Sequence, residues 1–225
     1  PIMLQSDLCI LNGLNPSVRF NMGECRNDYG GYFIIDGKEK LIIPQETFAD
    51  NMLYVRANKP DDTYSYSAEI RSVSEDASKP MRTTSVKMVA PSPVLSNNQL
   101  VVDVPNVRKP VPLFILMRAL GVISDKRIIE TCLLDIEGNS SYVDLFIPSI
   151  HDASKIFDQR TALEFIATFT KRQSVPSVLE ILMNYFLPHV GTNNFLDKAY
   201  FLGTMVHRLL RVSTKEDKPT DRDNF

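Results

Sequence analysis

Residues 24–46 constrain the fold of this chain more than any other stretch. They contain Asp36-Gly37 between two apolar runs with high β propensity, residues 32–35 and 40–43. A tight type I′ turn needs positive φ angles at both central residues, and Asp-Gly adopts them readily. The stretch therefore predicts a two-stranded hairpin. Pro44 is expected to end the second strand, because proline has no amide hydrogen to donate to a sheet.

The segments around this hairpin are also predicted to be rich in β-strands. Apolar and polar residues alternate in several of them, as in strands with one buried face. The turn-forming residues 58–62 indicate a linker, and we expect a domain boundary there or slightly later. Residues 1–57 are therefore expected to be β-rich, and further strands are predicted at residues 52–55, 66–71, 83–89 and 99–104.

From Pro110 onward the pattern becomes helical. The apolar run 113–120 is compatible with a strand or a helix, but Gly121 and Ser124 favour a helix end followed by a new helix start. Later apolar residues recur at steps of three and four, which is typical of amphipathic helices. The expected fold class is α+β, with a β-rich N-terminal part, then a mixed domain of strands followed by five or six helices. These helices are predicted at 113–120, 124–134 and 142–153 with a kink at Pro148, and from Asp158, Ser174 and Asn193 or Asn194 onward.

Composition places the chain among ordinary globular proteins. Its hydrophobic content of 44% and charged content of 23% are ordinary for a globular protein. Its length of 225 residues is enough for one large domain or two small ones. No apolar run approaches the ~20 residues of a membrane-spanning helix, so no membrane partner is expected. The formal net charge of −2 argues against a generally basic nucleic-acid coat. Residues 1–6 do not resemble a signal peptide and lack an initiating methionine, which suggests a piece of a longer polypeptide.

The cysteines and carboxylates do not predict a metal or catalytic site. Cys9, Cys25 and Cys132 are widely spaced without a C-x-x-C pair, which favours a reduced intracellular protein over a zinc site. The pairs Asp61-Asp62 and Asp221/Asp223 could hold Mg²⁺, but both lie in turn-like stretches, so a solvated structural role is favoured. The common nucleophile, zinc-hydrolase and phosphate-loop motifs are absent from the sequence. We therefore expect no catalytic residue and no cofactor in this chain.

Two lysines of the predicted hairpin are candidate contacts to a nucleic acid. Lys38 and Lys40 are two residues apart, so they project from the same face of a strand, and Gln45 follows closely. Cations of this kind bind phosphates, and an amide can contact a sugar or a base edge. The alternative is that the lysines only keep an exposed hairpin soluble, and the residues alone favour that alternative. The same two interpretations apply to further basic residues, which could line a shallow positive surface: Arg71, Lys79, Arg82 and Lys87.

A resemblance to one protein family is carried by residues 30–46, GGYFIIDGKEKLIIPQE. They are similar to the GGYFIINGSEK-type hairpin in the second-largest subunit of multisubunit DNA-dependent RNA polymerases. Further stretches resemble segments of that subunit in the same order along almost the whole chain. They are PIMLQS at 1–6, AEIRS at 68–72, RALG at 118–121, LPHV at 187–190, KAYFLG at 198–203, HRLL at 207–210 and DRD at 221–223. Their number and order make the match specific, although no single motif does.

The resemblance implies a role for each part of the chain. Residues 1–65 look like the end of the first half of the protrusion domain, and residues 66–225 look like the lobe domain inserted within it. In such polymerases these domains form one wall of the cleft above the DNA template. The catalytic Mg²⁺ is held chiefly by the largest subunit, so this piece would lack catalysis by itself. Implied partners are the largest subunit, the other polymerase subunits, the DNA template and the RNA–DNA hybrid.

The resemblance also bears on single residues. Lys40 and Gln45 match hairpin positions that lie near the path of the hybrid in the bacterial relative. The residues expected to face nucleic acid are therefore Lys38, Lys40, Gln45 and Arg71.

Several residues depart from the pattern of the eukaryotic nuclear enzyme. Gln5 stands where arginine is common, Arg26-Asn27 replaces a proline-aromatic pair, Lys38 replaces serine and Pro44 replaces a small residue. An archaeal-like polymerase or one from a large DNA virus fits at least as well, and we favour the virus. The expected compartment is then intracellular, as a nucleus, a cytoplasmic viral factory or a virion. The alternative from another functional class is a free-standing module that binds a protein partner and touches no nucleic acid.

Overall fold

In the computed structural model, which describes residues 1–47, 49–91 and 98–220, the chain divides into two compact units. They span Pro1–Phe48 and Ala49–Phe225. The division predicted between residues 65 and 66 falls inside a strand of the second unit. Residues 53–57 pair with that strand and so belong to the same sheet. The assignment of these residues to two polymerase domains stays a prediction.

The predicted hairpin is confirmed in the first unit. Strand β1 (Phe33–Ile35) pairs antiparallel with strand β2 (Lys38–Lys40). Asp36 and Gly37 between them have φ angles of 52° and 70°, as both central residues of a type I′ turn require. The second strand is shorter than predicted, because residues 41–43 pair with no strand in the described part of the chain. It therefore ends before Pro44 can end it.

The rest of the first unit contains less strand than its composition predicts. A short helix, α1 (Pro16–Asn21), lies in the stretch that was expected to be β-rich. The Asn15 side chain caps it by accepting the backbone N–H of Ser17 at 3.1 Å, and proline occupies its first turn. The sequence Asn-Pro-Ser is thus a helix start signal that the apolar content of the segment conceals. Strands within residues 1–57 are limited, in the described part, to the hairpin and to the strand that begins at Leu53.

The first unit buries little apolar surface of its own. Leu11 is the one hydrophobic side chain that is buried among the residues described in this unit, whereas Leu8 and Ile10 are 80% and 83% exposed. Backbone hydrogen bonds join its N-terminal segment to the hairpin: Leu4 and Tyr32 are linked by an N–H···O bond of 2.9 Å. Because hydrophobic burial is the main favourable term in folding, this unit has little to hold it folded by itself.

A five-stranded antiparallel sheet forms one layer of the second unit. One of its faces carries most of the buried side chains, since alternate residues of a strand point the same way. On the second strand of this sheet, for example, Ala68 and Ile70 are fully buried. The four strands predicted from the sequence are confirmed, and a fifth is too short to show a pattern. In order they are β3 (Leu53–Ala57), β4 (Tyr64–Ser72), β5 (Arg82–Val89), β6 (Leu100–Asp103) and β7 (Val111–Pro112).

Seven α-helices follow the sheet in the described residues. All six predicted helices are present, and the third is divided in two by a 3-10 turn, Asp144–Phe146. Pro148 lies in the first turn of the second half, where its missing N–H breaks no helical hydrogen bond. The helices are α2 (Leu113–Ala119), α3 (Asp125–Leu133), α4 (Ser140–Val143), α5 (Ile147–Asp152), α6 (Gln159–Ala167), α7 (Val175–Asn184) and α8 (Phe195–Ser213).

Helix α7 ends at Asn184, ahead of Pro188. The backbone N–H groups of Tyr185 and Phe186 both donate to the carbonyl oxygen of Ile181 at 2.9 Å, which closes the last turn. Leu187 then adopts a left-handed conformation, with φ 44°, and Pro188 begins a separate 3-10 turn, Pro188–Val190. The chain therefore leaves the helix before the proline is reached.

Helix α2 lies at the centre of the core. All seven of its residues are buried, which explains why its sequence is apolar except for Arg118. It packs against β6 and β7 on one side and against α6 on the other. The longest helix, α8, packs against β3, β4 and α3. Gly203 of α8 permits the approach to α3, because a Cβ atom there would lie 2.5 Å from the carbonyl oxygen of Thr131.

Candidate nucleic-acid interface

The hairpin presents two lysines on one face of its second strand. Lys40 lies opposite Phe33 and Lys38 lies opposite Ile35, so these four side chains share a face, while Glu39 points to the other face. Both lysines are exposed, and neither forms an ion pair with any side chain in the described ranges. The structure thus brings Lys38 and Lys40 together as predicted from their spacing. Their role toward nucleic acid stays a prediction.

Gln45 lies beyond the hairpin. It is exposed and belongs to no strand or helix. The structure therefore leaves its amide accessible, in the same compact unit as the two lysines.

A small hydrogen-bond network fixes the base of the hairpin. The carboxylate of Asp28 accepts the backbone N–H of Gly30 at 2.8 Å and the phenol O–H of Tyr32 at 2.5 Å. The side-chain amide of Gln5 donates to the carbonyl oxygen of Asp28 at 2.8 Å. Gly30 has φ 72°, and a Cβ atom there would lie 2.6 Å from the carbonyl oxygen of Leu4. The sequence therefore needs glycine at this point, both for its conformation and for the close approach of the N-terminal segment.

This network changes the titration of two side chains. The hydrogen bond from Tyr32, followed by that from the Gly30 backbone, holds the pKa of Asp28 below its usual value. The same bond raises the pKa of Tyr32 to about 12, because ionising the phenol would place two negative charges side by side. The hairpin base is thus in its bonded form throughout the neutral pH range.

Arg71 belongs to the second compact unit, whereas the hairpin residues belong to the first. It belongs to β4, opposite Thr83 of β5, and its neighbours Ile70 and Ser72 are fully buried. Because alternate residues point to opposite faces, Arg71 projects from the face of the sheet that is turned away from the core. Its side chain is half-buried and forms no ion pair in the described ranges. Contact between Arg71 and a nucleic acid also stays a prediction.

The four basic residues of the second β region do not form one positive surface. Lys87 shares the outer face with Arg71, but its ammonium is paired with the carboxylate of Asp103. Arg82 lies opposite Ser72, on the core side of the sheet, with its guanidinium 4.8 Å from the ring centroid of Tyr185. Burial, followed by the charge of Lys79, lowers the pKa of Lys198 on α8. The prediction that these residues line one shallow positive surface is therefore wrong, because Lys87 and Arg82 lie on opposite faces of the sheet.

Metal-ligand geometry is absent from the described part of the chain. None of its groups of His, Cys, Asp and Glu side chains is arranged to hold a metal ion. Asp61 and Asp62 are exposed in a turn, where Asp62 accepts the backbone N–H of Lys59 at 3.3 Å. The other pair, Asp221 and Asp223, lies outside the described residues, as does the DRD stretch at 221–223.

Arg118, in the RALG stretch, is a structural residue that sequence reasoning did not assign. It belongs to the fully buried α2 and is only 2% exposed, although its side chain is charged. Its guanidinium donates to the carbonyl oxygens of Ala153, at 3.0 Å, and Ile156, and it pairs with the carboxylate of Asp125. It thereby joins α2 to the start of α3 and to the segment after α5. An arginine inside an otherwise apolar run is the sequence signal for such a buried anchor.

Ser72 and His189 form a hydrogen-bonded pair that the sequence could not reveal, because the two residues are 117 positions apart. The Ser72 hydroxyl accepts the backbone N–H of His189 at 3.2 Å and lies 2.7 Å from its Nδ1 atom. Burial, followed by the charge of Lys198, lowers the pKa of His189, so the ring is neutral at pH 7 and shares one hydrogen bond between Nδ1 and the hydroxyl. The pair resembles a nucleophile and its base, but Ser72 is 0% exposed and no substrate could reach it. Its role is to fasten the 3-10 turn at His189 to the sheet.

No helix in the described ranges has the length and apolar character needed to cross a membrane.

Comparison with known proteins identifies the family. The family model for RNA polymerase Rpb2, domain 2, matches residues 50–225, which is most of the chain and nearly coincides with the second compact unit. The start of this match at residue 50 agrees with the membership of β3 in the same sheet as β4.

Individual relatives extend the similarity over the first unit as well. The DNA-directed RNA polymerase II subunit RPB2 of Encephalitozoon cuniculi is 39% identical over 233 aligned residues, which cover 100% of this chain and 20% of that protein. RPB2 of Schizosaccharomyces pombe is 36% identical, and the alignment covers 100% of this chain and 19% of that protein. The archaeal subunit Rpo2 of Saccharolobus solfataricus is 31% identical, and the alignment covers 100% of this chain and 20% of that protein.

The chain spans about a fifth of the length of these curated relatives. They come from eukaryotes and an archaeon, so the preference for a viral source stays a prediction. The alternative of a free-standing interaction module finds no support in these similarities. The match to the family model and the similarity along the whole chain show that the chain belongs to the family of second-largest subunits of DNA-directed RNA polymerases.

Proposed function

We propose that this chain is a non-catalytic part of a DNA-directed RNA polymerase that forms one wall of the cleft for the DNA template and the RNA–DNA hybrid. The observation that carries this proposal is the exposed lysine pair on one face of the β1–β2 hairpin, which forms no ion pair in the described ranges. The family supplies the setting, since the relatives are named as polymerase subunits. Two exposed cations on one face suit a polymer with regularly spaced phosphates.

In this role the hairpin holds a polymer and performs no chemistry. Lys38 and Lys40 neutralise phosphate charge, and the type I′ turn with the bonded base at Asp28 keeps them in register. The amide of Gln45 can donate to a sugar or a base edge. Arg71 in the second unit is a further phosphate contact within the same enzyme.

The wider assignments follow from the same role. The first compact unit is the end of a protrusion-like domain, and the second compact unit is a lobe-like domain. The partners are the largest subunit, which holds the catalytic Mg²⁺, the remaining subunits, the template and the hybrid. The enzyme is intracellular, and its compartment is a nucleus, a cytoplasmic viral factory or a virion, according to its source. The departures at Gln5 and Pro44 from the eukaryotic nuclear pattern suit an archaeal-like or a viral polymerase, and of these we favour the viral one.

The lysine pair is tested by the substitution Lys40→Glu in the assembled polymerase. We expect weaker retention of the hybrid and shorter transcripts, because a phosphate would meet a negative charge. In salt titrations of complex stability, the slope of log affinity against log salt should fall by about 1 for each phosphate that the variant no longer binds. Glu39→Gln is the matched control, since Glu39 lies on the same strand but the opposite face. Normal elongation by the Lys40→Glu enzyme at moderate salt would refute a hybrid contact.

The identity of the whole enzyme is tested by capture from the native source. An antibody raised against this chain should bring down a much larger polypeptide together with DNA-dependent incorporation of labelled nucleotides. Capture of a chain of about this size, without incorporation, would contradict the polymerase assignment.

A further inference from the structure

A basic cavity lies on the second unit, between the loop after β6 and helix α7. Its volume is about 350 Å³. Three cationic side chains line it, Arg108, Lys171 and Arg172, together with one carboxylate, Glu180. The whole chain has a net charge of −2, so this concentration of positive charge is local and departs from the rest of the molecule.

The cations of this cavity are free to meet a ligand. Arg172 is 77% exposed and lies 3.7 Å from Glu180, a distance typical of a loose surface pair. Arg108 and Lys171 are exposed and form no ion pair in the described ranges. The backbone N–H of Arg108 donates to the carbonyl oxygen of Phe169 at 3.1 Å, which fixes the loop against the end of α6.

The floor of the cavity is apolar. Ile181 is 6% exposed, and the half-buried ring of Tyr185 lies beside it on α7. The guanidinium of Arg82 stacks on that ring, 4.8 Å from its centroid, and adds a further positive charge at the edge. The site therefore combines an apolar floor with a basic wall.

We propose that this cavity binds an acidic peptide segment of a protein partner. Carboxylates of the peptide pair with Arg108 and Lys171, and an apolar side chain rests on Ile181 and Tyr185. A nucleic-acid backbone fits this site less well, because the apolar floor of Ile181 and Tyr185 suits an apolar side chain and offers a phosphate nothing. The proposal does not depend on the hairpin lysines, which belong to the other compact unit.

The test is fluorescence anisotropy with the full 225-residue chain. The probe is a short labelled peptide of aspartate and glutamate residues with two leucines. Its comparison ligands are the same peptide with asparagine and glutamine in place of the acids, and a single-stranded oligonucleotide of equal charge. The acidic peptide should bind, more weakly as salt rises, and both comparison ligands should bind at least roughly tenfold less tightly.

Charge reversal locates the binding. The double variant Arg108→Glu, Lys171→Glu should weaken binding of the acidic peptide by roughly tenfold or more. The double variant Lys126→Glu, Lys155→Glu changes net charge equally at exposed positions elsewhere and should leave the affinity within about twofold. If the charge-reversed protein does not fold, as judged by its thermal unfolding, Arg108→Gln with Lys171→Gln replaces it. Absence of binding, tighter binding of the oligonucleotide, or an equal loss in the control variant would each overturn the proposal.

Discussion

The ammonium of Lys198 lies 2.6 Å from the carbonyl oxygen of Leu182, so a side chain of α8 caps the C-terminal turn of α7. A second bond, of 3.0 Å, runs to the carbonyl oxygen of Met183. The last carbonyls of a helix have no partner within it, and the negative end of the helix dipole favours a cation there. Lys198 is 0% exposed, so both carbonyls depend on it rather than on water.

The first prediction concerns the pH dependence of stability that Lys198 contributes. Burial, followed by the charge of Lys79, lowers the pKa of Lys198 from 10.5 to about 8 in the folded protein. Between these values the unfolded chain binds more protons than the folded one, so stability rises as pH increases from about 8 toward 10.5. The gain is on the order of 3 kcal/mol, because each pKa unit corresponds to about 1.4 kcal/mol.

Urea unfolding of the wild type and of Lys198→Met at several pH values checks this. The difference between the two free energies of unfolding should shift in favour of the wild type as pH rises through that window. Parallel curves for both proteins would contradict the lowered pKa.

The second prediction concerns the crossing of α3 and α8. Gly203→Ala should destabilise the second unit by about 1–3 kcal/mol, because the new Cβ atom would lie 2.5 Å from the backbone oxygen of Thr131. Backbone cannot move aside as a flexible side chain can. Chemical denaturation measures the loss. Thr204→Ala, at the next, exposed position of α8, should change stability by less than about 0.5 kcal/mol.

The third prediction concerns the base of the hairpin. Because the hydrogen bond to Asp28 raises the pKa of Tyr32 to about 12, Asp28→Asn should return that pKa toward 10.0. NMR titration of the tyrosine ring resonances measures it. In the reciprocal variant, Tyr32→Phe, the pKa of the Asp28 carboxyl should rise toward its ordinary value of 3.8. An unchanged pKa for both partners would show that the bond does not persist in solution.

The fourth prediction concerns Arg118. Arg118→Leu should cost roughly 3–5 kcal/mol of stability, because it leaves buried carbonyl oxygens without a donor. Arg118→Lys should recover only part of this, since one ammonium cannot reproduce the planar fork of the guanidinium. Asp125→Asn is the comparison: its carboxylate is 40% exposed, and the carbonyl partners of Arg118 remain. Asp125→Asn should lose about 1–2 kcal/mol of stability. A loss as large as that of Arg118→Leu would show that the ion pair, and not the bonds to the carbonyl oxygens, provides the stability.

Local signals of the sequence predicted most of the fold. The Asp36-Gly37 turn, the period-two strands, the helix end at Gly121 and the helix start at Ser124 act through neighbouring residues, so they can be predicted from a single sequence. Helix α1 was concealed because its start signal is short and no buried stripe follows it, since none of its residues is buried. The division between the units was harder to place, because β3 joins the second unit only through its pairing with β4.

In the candidate site, too, only the features that depend on neighbouring residues could be predicted from the sequence. The shared face of Lys38 and Lys40 follows from strand geometry alone. The separation of Arg82 from Arg71 follows from the register of β4 against β5, which no local pattern specifies. Arg118 and Lys198 are invisible as anchors in the sequence, because their carbonyl partners lie on other elements and a carbonyl group is present in every residue.

The two-residue turn at Asp36-Gly37 also decides the sign of the charge that this hairpin displays. Side chains alternate along β2, so a shift of one residue in its pairing would exchange the lysines for Glu39 on that face. One inserted residue in the turn would therefore turn a cationic face into an anionic one without altering the composition of the strand. The length of this loop is as much a determinant of what the hairpin attracts as the lysines themselves.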